Sequence, residues 1–178
     1  MLIAFGGLPG TGKTTVAKAL ARKLAATYLR IDTFEQAIIA SEHTRAEIGP
    51  AGYLTAYAVA ADNLSLGLTV VADSANMLNI TRIAWRNVAR EAGVPIFEIE
   101  LICSDTAIHR IRVEERRADI AGHRQPTWKD VLSRQHDAWN SKHLVVDTAN
   151  LSVEQVIEII THRLPTPPSD ELGPASCS

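Results

Sequence analysis

The stretch Gly6-Gly7-Leu8-Pro9-Gly10-Thr11-Gly12-Lys13-Thr14-Thr15 restricts what this chain can fold into more than any other. From Gly7 to Thr14 it satisfies G-x-x-x-x-G-K-[ST] at every fixed position, directly after the apolar run LIAFG and directly before the helical run VAKALARKL. Turning several backbone N–H groups toward one centre needs dihedrals and an approach distance that side chains block and glycine permits. The loop therefore reads as a phosphate cradle made by Gly7, Pro9, Gly10, Thr11, Gly12, Lys13, Thr14 and Thr15, reinforced by the positive end of the helix that follows. In that reading Lys13 reaches the β and γ oxygens of a nucleoside triphosphate, and the Thr14 hydroxyl enters the shell of a Mg²⁺ ion.

A loop of this kind needs a strand before it and a helix after it, and the pattern repeats along the chain. Residues 2–6, 26–31, 68–73, 96–103 and 144–148 read as strands, several of them apolar on both faces, with helical segments between them. That alternation predicts an α/β fold with a parallel sheet and helices on both faces. Ser152 and Gln155 form a capping box ahead of an apolar stripe, with Leu151 and Val156 as its staple, and Thr127 with Asp130 makes a weaker start of the same type. Residues 50–66 read as an Ala-rich helix with Tyr53, Leu54, Tyr57, Ala58, Ala61 and Leu64 inward. A single domain over 1–163 accommodates all of this, followed by a proline-rich, aperiodic stretch, 164–178, expected to be a disordered tail.

The formal net charge of −2 gives no support for a nucleic-acid or membrane partner. Cys103 and Cys177 make no disulfide framework, the N-terminal MLIAF lacks a basic leader, and no stretch approaches the ~20 apolar residues of a membrane span, so a cytoplasmic location is expected.

Several charged residues can carry chemistry. Asp73 ends the third strand, where it can hold Mg²⁺, yet no Glu follows it to activate water, and the Asn-Lys-x-Asp guanine reader is absent. A motor ATPase and a GTP switch are both disfavoured. Asp32 closes the second strand at the sheet end where ligands gather, and its carboxylate can take the proton of an attacking hydroxyl; it also fits a helix-cap pattern. Arg110, Arg112, Arg116, Arg117 and Arg124 crowd the segment 105–125. They suit a mobile lid over phosphates, or a solvated helix face paired with Glu114 and Glu115.

On these residues the chain resembles the small P-loop kinases of the nucleoside-monophosphate-kinase-like group. In particular it is similar to bacterial AAA-domain kinases related to polynucleotide kinase, chloramphenicol phosphotransferase and gluconate kinase. The resemblance rests on GLPGTGKTT, Arg30-Ile31-Asp32, Asp73-Ser74-Ala75-Asn76 followed by Arg82, and the arginines of 110–124. It implies a three-layer P-loop NTPase fold with five parallel strands in the order 2-3-1-4-5 and an Arg-rich lid. It further implies transfer of the γ-phosphate of ATP, with Lys13, Asp32 and one lid arginine, Arg116 first, as catalytic residues. Arg112 and Arg117 are placed beside the nucleotide, and Thr14 and Asp73 at the metal. Relatives commonly carry Asp-x-Thr-Asn where this chain has Ala75 preceded by Ser74.

A small-molecule hydroxyl acceptor is expected between Asp32 and the segments 33–60 and 73–86. Tyr53, Tyr57, Asn76 and Arg82 are the binding candidates, with Arg45 and Arg86 in the same region. A 5′-hydroxyl polynucleotide kinase-like enzyme and an ATP-binding regulatory module with little catalysis are the alternatives. No spacing among His43, His109, His123 and His136 suits a metal, and Trp85, Trp128 and Trp139 read as packing residues.

Overall fold

The computed structural model describes residues 1–41 and 48–165. The expectations attached to His43, Arg45, Cys177 and residues 166–178 lie outside the described residues.

Five strands, β1 (Leu2–Gly6), β2 (Thr27–Arg30), β3 (Val70–Asp73), β4 (Ile96–Ile102) and β5 (Leu144–Asp147), form one parallel sheet in the order β2-β3-β1-β4-β5. Between and after them run α1 (Lys13–Leu24), α2 (Ile31–Ala40), α3 (Ala51–Ser65), α4 (Asn79–Glu91), α5 (Thr106–Glu114), α6 (Trp128–Leu132) and α7 (Val153–Thr161). The side-chain alternation of a strand shows in β1, all of whose residues are buried. Ile3 and Phe5 join a core with Val16, Leu20, Val156 and Ile160 of α1 and α7. Leu2 and Ala4 face Ala56, Ala60, Trp85 and Ala89 of α3 and α4 on the other side. Each large apolar side chain so enclosed contributes roughly 1.5–3 kcal/mol relative to exposure, and together they fix three layers. The chain reverses direction across the sheet at β1, whose neighbours are β3 and β4, so the glycine loop leaves the sheet at its topological switch point.

Both capping boxes form: Ser152 with Gln155 starts α7, and Thr127 with Asp130 starts α6. Two local expectations are corrected. The second strand ends at Arg30, so Asp32 lies inside the first turn of α2, and no side chain caps that helix. Asp32 is therefore not a cap. In α3 the buried stripe is Gly52, Ala56, Ala60 and Leu64, whereas Leu54, Ala58 and Ala61 face outward. The reason is close approach: a Cβ on Gly52 would stand 2.4 Å from Cγ of Glu35 on α2. Small residues win that face although Leu54 is the more apolar. Among the described residues, no helix is long and apolar enough to cross a membrane.

Candidate active site

The glycine loop connects β1 to α1 and takes the left-handed conformations that side chains resist. Gly10 and Gly12 have φ of 84° and 87°. A Cβ at Gly10 would meet Val113 Cγ2 of α5 at 2.5 Å, while at Gly12, among the described residues and apart from the local backbone, nothing lies within 4 Å of it. The space in front of Gly12 is open cavity, the opening a phosphate group needs. From behind, Thr148 Oγ1 donates to the Thr11 carbonyl (3.0 Å), and the buried His109 ring lies 2.7 Å from the Pro9 carbonyl through Nε2, which must donate. Gly7 and Thr11 shape the loop from this rear side, where a Cβ on Gly7 would sit 2.2 Å from the Leu101 carbonyl oxygen. Lys13 Nζ donates to the loop's own Leu8 carbonyl (2.8 Å). Burial lowers the Lys13 ammonium to about 8; the carboxylates of Asp73 and Asp32 work against that shift, and Arg116 and Arg134 add to it.

Asp73 ends β3, is 4% exposed, and accepts a 2.7 Å hydrogen bond from the Tyr28 hydroxyl. Burial, and then the Asp73 carboxylate, push the Tyr28 phenol well above its ordinary value, so it stays a donor. Arg30, itself 4% exposed, ties three acids together: Asp119 through Nη1 (2.7 Å), Asp32 through Nη2 (3.2 Å) and, more loosely, Asp73 at 3.9 Å from Nε. Lys18 of α1 also donates to Asp119 (3.0 Å), and these donors hold the Asp119 carboxyl well below the usual carboxylate range. Asp32 keeps 38% side-chain exposure, which leaves a carboxylate edge open.

Two cavities meet at the loop. The first, about 600 Å³, runs from Gly10, Gly12 and Thr15 past Arg112, Arg117 and Asp119 to an apolar end at Leu151, Val153 and Val156. The second, about 420 Å³, is lined by Pro9, Asp32, Glu35, Asp73, Ser74 and the segment His123–Pro126, with Asp130 and Arg134. Lys13, Thr14 and Arg116 line both. Arg112 is also anchored on the β5–α7 connection, donating to Thr148 Oγ1 (3.0 Å) and the Thr148 carbonyl (3.0 Å). Arg110 instead pairs with Glu114 at 2.9 Å on the outer face. Ser74 Oγ donates to the Phe5 carbonyl (3.1 Å).

The structure does not bring the expected acceptor residues Tyr53, Tyr57, Asn76 and Arg82 to this cleft. Arg82 is fully buried, donates to the carbonyls of Asn76, Met77, Asp137 and Ala138, and lies 4.6 Å from the Trp139 ring centre. The Tyr53 hydroxyl accepts from the Asn76 N–H, Tyr57 donates to the Thr81 carbonyl, and Asn76 Oδ1 accepts from Thr81. These four form a packed support behind the loop after β3. Arg86 is likewise held, by two hydrogen bonds to Glu98. Trp85 is core, Trp128 packs edge-on to His109, and Trp139 stacks on His143. The wall that sequence reasoning missed is Glu35, His123, Gln125 and Arg134. It comes from α2 and the stretch around α6, and no motif marks it.

The sequence profile of the AAA domain family matches residues 2–143, and the chain belongs to that family. None of the curated proteins compared matches it. Among solved structures the fold is similar to a protein of Chloroflexus aurantiacus provisionally described as a kinase, with TM-score 0.73, 22% identity, and 92% of this chain and 98% of that one covered. It is also similar to the Mycobacterium tuberculosis APS kinase in complex with AMPPNP and APS (TM-score 0.68, 20% identity, 90% and 95% covered). A gluconokinase of Sinorhizobium meliloti follows, with TM-score 0.59, 18% identity, and 88% and 86% covered. The fold is that of the P-loop kinase-like group.

Proposed function

We propose that this protein is an ATP-dependent phosphotransferase that moves the γ-phosphate of ATP to a hydroxyl of a small molecule. The observation that carries this reading is the shared wall: Lys13, Thr14 and Arg116 line both cavities, while Asp32 lines only the second. A nucleotide in the larger cavity would place its base toward Leu151 and Val153, with Arg112 and Arg117 beside it. Its phosphates would lie on the loop N–H groups, and its terminal phosphate at the junction. The oxygen donors Thr14 and Asp73 suit Mg²⁺, which when bound neutralises phosphate charge.

An acceptor in the smaller cavity would present its hydroxyl to Asp32. The carboxylate takes the proton as the oxygen bonds to the γ-phosphorus, and the bridging bond breaks with its electron pair leaving on ADP. Lys13 and Arg116 stabilise the charge spread over the transferred group. The segment 105–125 serves as the lid, and the contacts of Asp119 with Arg30 and Lys18 hold it down over the junction. Arg30 also donates to Asp32 and so orients its carboxylate. ADP release from Mg-ATP across pooled sugars, nucleosides and nucleotides, aminoglycosides, phenicols and 5′-hydroxyl oligonucleotides tests the proposal. One small-molecule pool should raise turnover well above the rate without acceptor. A uniform background rate from a protein that binds ATP contradicts it.

A further inference from the structure

The smaller cavity is lined by two guanidinium groups that the proposed transfer chemistry does not use. Besides Lys13 and Arg116 it is lined by Arg124 and Arg134, which do not line the nucleotide cavity. Among the described residues neither guanidinium has a carboxylate in ion-pair contact. Four carboxylates share this wall: besides Glu35, Asp32 is ion-paired to Arg30, Asp73 accepts from the Tyr28 hydroxyl, and Asp130 accepts from the N–H of Thr127 while the fields of Arg124 and Arg134 also act on it. Among the described residues, Glu35 alone of the four has no such partner. Burial, then Asp32, raise its carboxyl above the ordinary value, the field of Arg134 opposes that shift, and Glu35 and Arg134 both line the cavity. Gln125 adds an amide at this wall whose buried nitrogen and oxygen both lack a hydrogen-bond partner among the described residues. Buried amides are ordinarily satisfied, so a ligand or water is expected there. At about 420 Å³ the cavity has the volume of a small-molecule site.

Resting on the kinase reading of this cleft, we propose that the acceptor is a small hydroxylated anion, bearing a carboxylate or a phosphoryl-type group that Arg134 and Arg124 bind while its hydroxyl faces Asp32. Guanidinium groups suit both kinds of anion because their paired N–H donors match two oxygens. Gln125 then meets a hydroxyl or carbonyl on the neutral part of the molecule.

The test compares matched acceptors on the full chain with Mg-ATP: aldoses against their aldonic and uronic acids, sugars against sugar phosphates, and nucleosides against their monophosphates. The charged member of at least one pair should have a kcat/KM on the order of tenfold or more above its neutral partner, an advantage that added salt diminishes. Arg134→Gln and Arg124→Gln, each with an unchanged melting temperature, should raise KM for that acceptor by a similar factor and leave KM for Mg-ATP alone. The acid and phosphate arms identify which anion is read. Neutral members turned over as well as charged ones overturn the inference and leave the kinase reading intact, as does a charge preference that survives in the double variant. A 5′-hydroxyl oligonucleotide as the best acceptor overturns the small-molecule part. Silence of every pair in a protein that binds Mg-ATP removes the kinase reading itself.

Discussion

The two cavities that meet at Lys13 are made of different material. One short loop, with glycines at left-handed φ values, lines the end of the larger one that the proposed function gives to phosphate. The smaller one is walled by single side chains from the glycine loop, the start of α2, the end of β3 and the stretch from His123 to Arg134. A backbone cradle reads any polyphosphate in the same way, because its donors do not depend on side-chain identity. A wall of side chains can be re-lettered one residue at a time without disturbing the sheet. In the proposed reading, nucleotide binding belongs to the fold, whereas acceptor choice belongs to this particular chain.

Variants can break that contrast, beginning with the residue common to both cavities. Lys13→Ala should lower turnover by roughly 10³-fold and weaken nucleotide binding; unimpaired ADP release would show that the loop does not act on the transferred phosphate. Asp32→Asn should separate the two sites, with turnover falling by roughly 10²–10³-fold and ATP affinity, measured by calorimetry, staying at the wild-type value. Joint loss of both would show that Asp32 supports the nucleotide end.

A smaller effect comes from pH. Between about 8 and the ordinary lysine value of 10.5, the free protein has lost the Lys13 proton that the unfolded chain still holds. The contribution of Lys13 to stability therefore rises with pH across this window and is lost as pH falls back through it. Binding a polyphosphate restores the proton, so Mg-ATP affinity should fall by up to about tenfold per unit above pH 8. Titrations at pH 8.5 in two buffers of different ionisation heat should report proton uptake. Equal apparent heats would place the Lys13 titration elsewhere. Asp119→Asn, which keeps the shape and removes the charge facing Arg30 and Lys18, should cost less than about fivefold in kcat/KM, since the Lys18 pair is at the surface and the buried Arg30 keeps its bond to Asp32. Hydrogen exchange over 115–125 should speed up. Unchanged exchange would show that these contacts do not hold the segment down.

The larger cavity was legible because its loop is contiguous: a fixed spacing of glycines, Lys13 and Thr14 between a strand and a helix leaves little freedom in what the backbone can do. The five strands were legible from their apolar runs, and the order of the sheet through the resemblance those residues carry. The acceptor side was not, for a reason that the arginines make plain. Arg82 and Arg116 are the same residue type, Arg82 near the start of α4 and Arg116 just after α5. Arg82 is enclosed and holds four backbone carbonyls beneath Trp139, and Arg116 lines both cavities. Only the return of the chain around Asp137–Trp139 decides between these fates, and nothing near Arg82 in sequence announces it. Likewise Arg30 looks like one more charged residue beside Asp32, and becomes a buried link among three acids only when Asp119 arrives from 89 positions away.

The central claim is phosphoryl transfer to an acceptor, and ³¹P NMR of wild-type protein with Mg-ATP and the most active acceptor pool tests it most directly. ADP and, in equal amount, a new phosphomonoester resonance on the acceptor are expected, both slowed by roughly 10²–10³-fold with Asp32→Asn. ADP accompanied only by inorganic phosphate, at a rate that no acceptor changes, would contradict it.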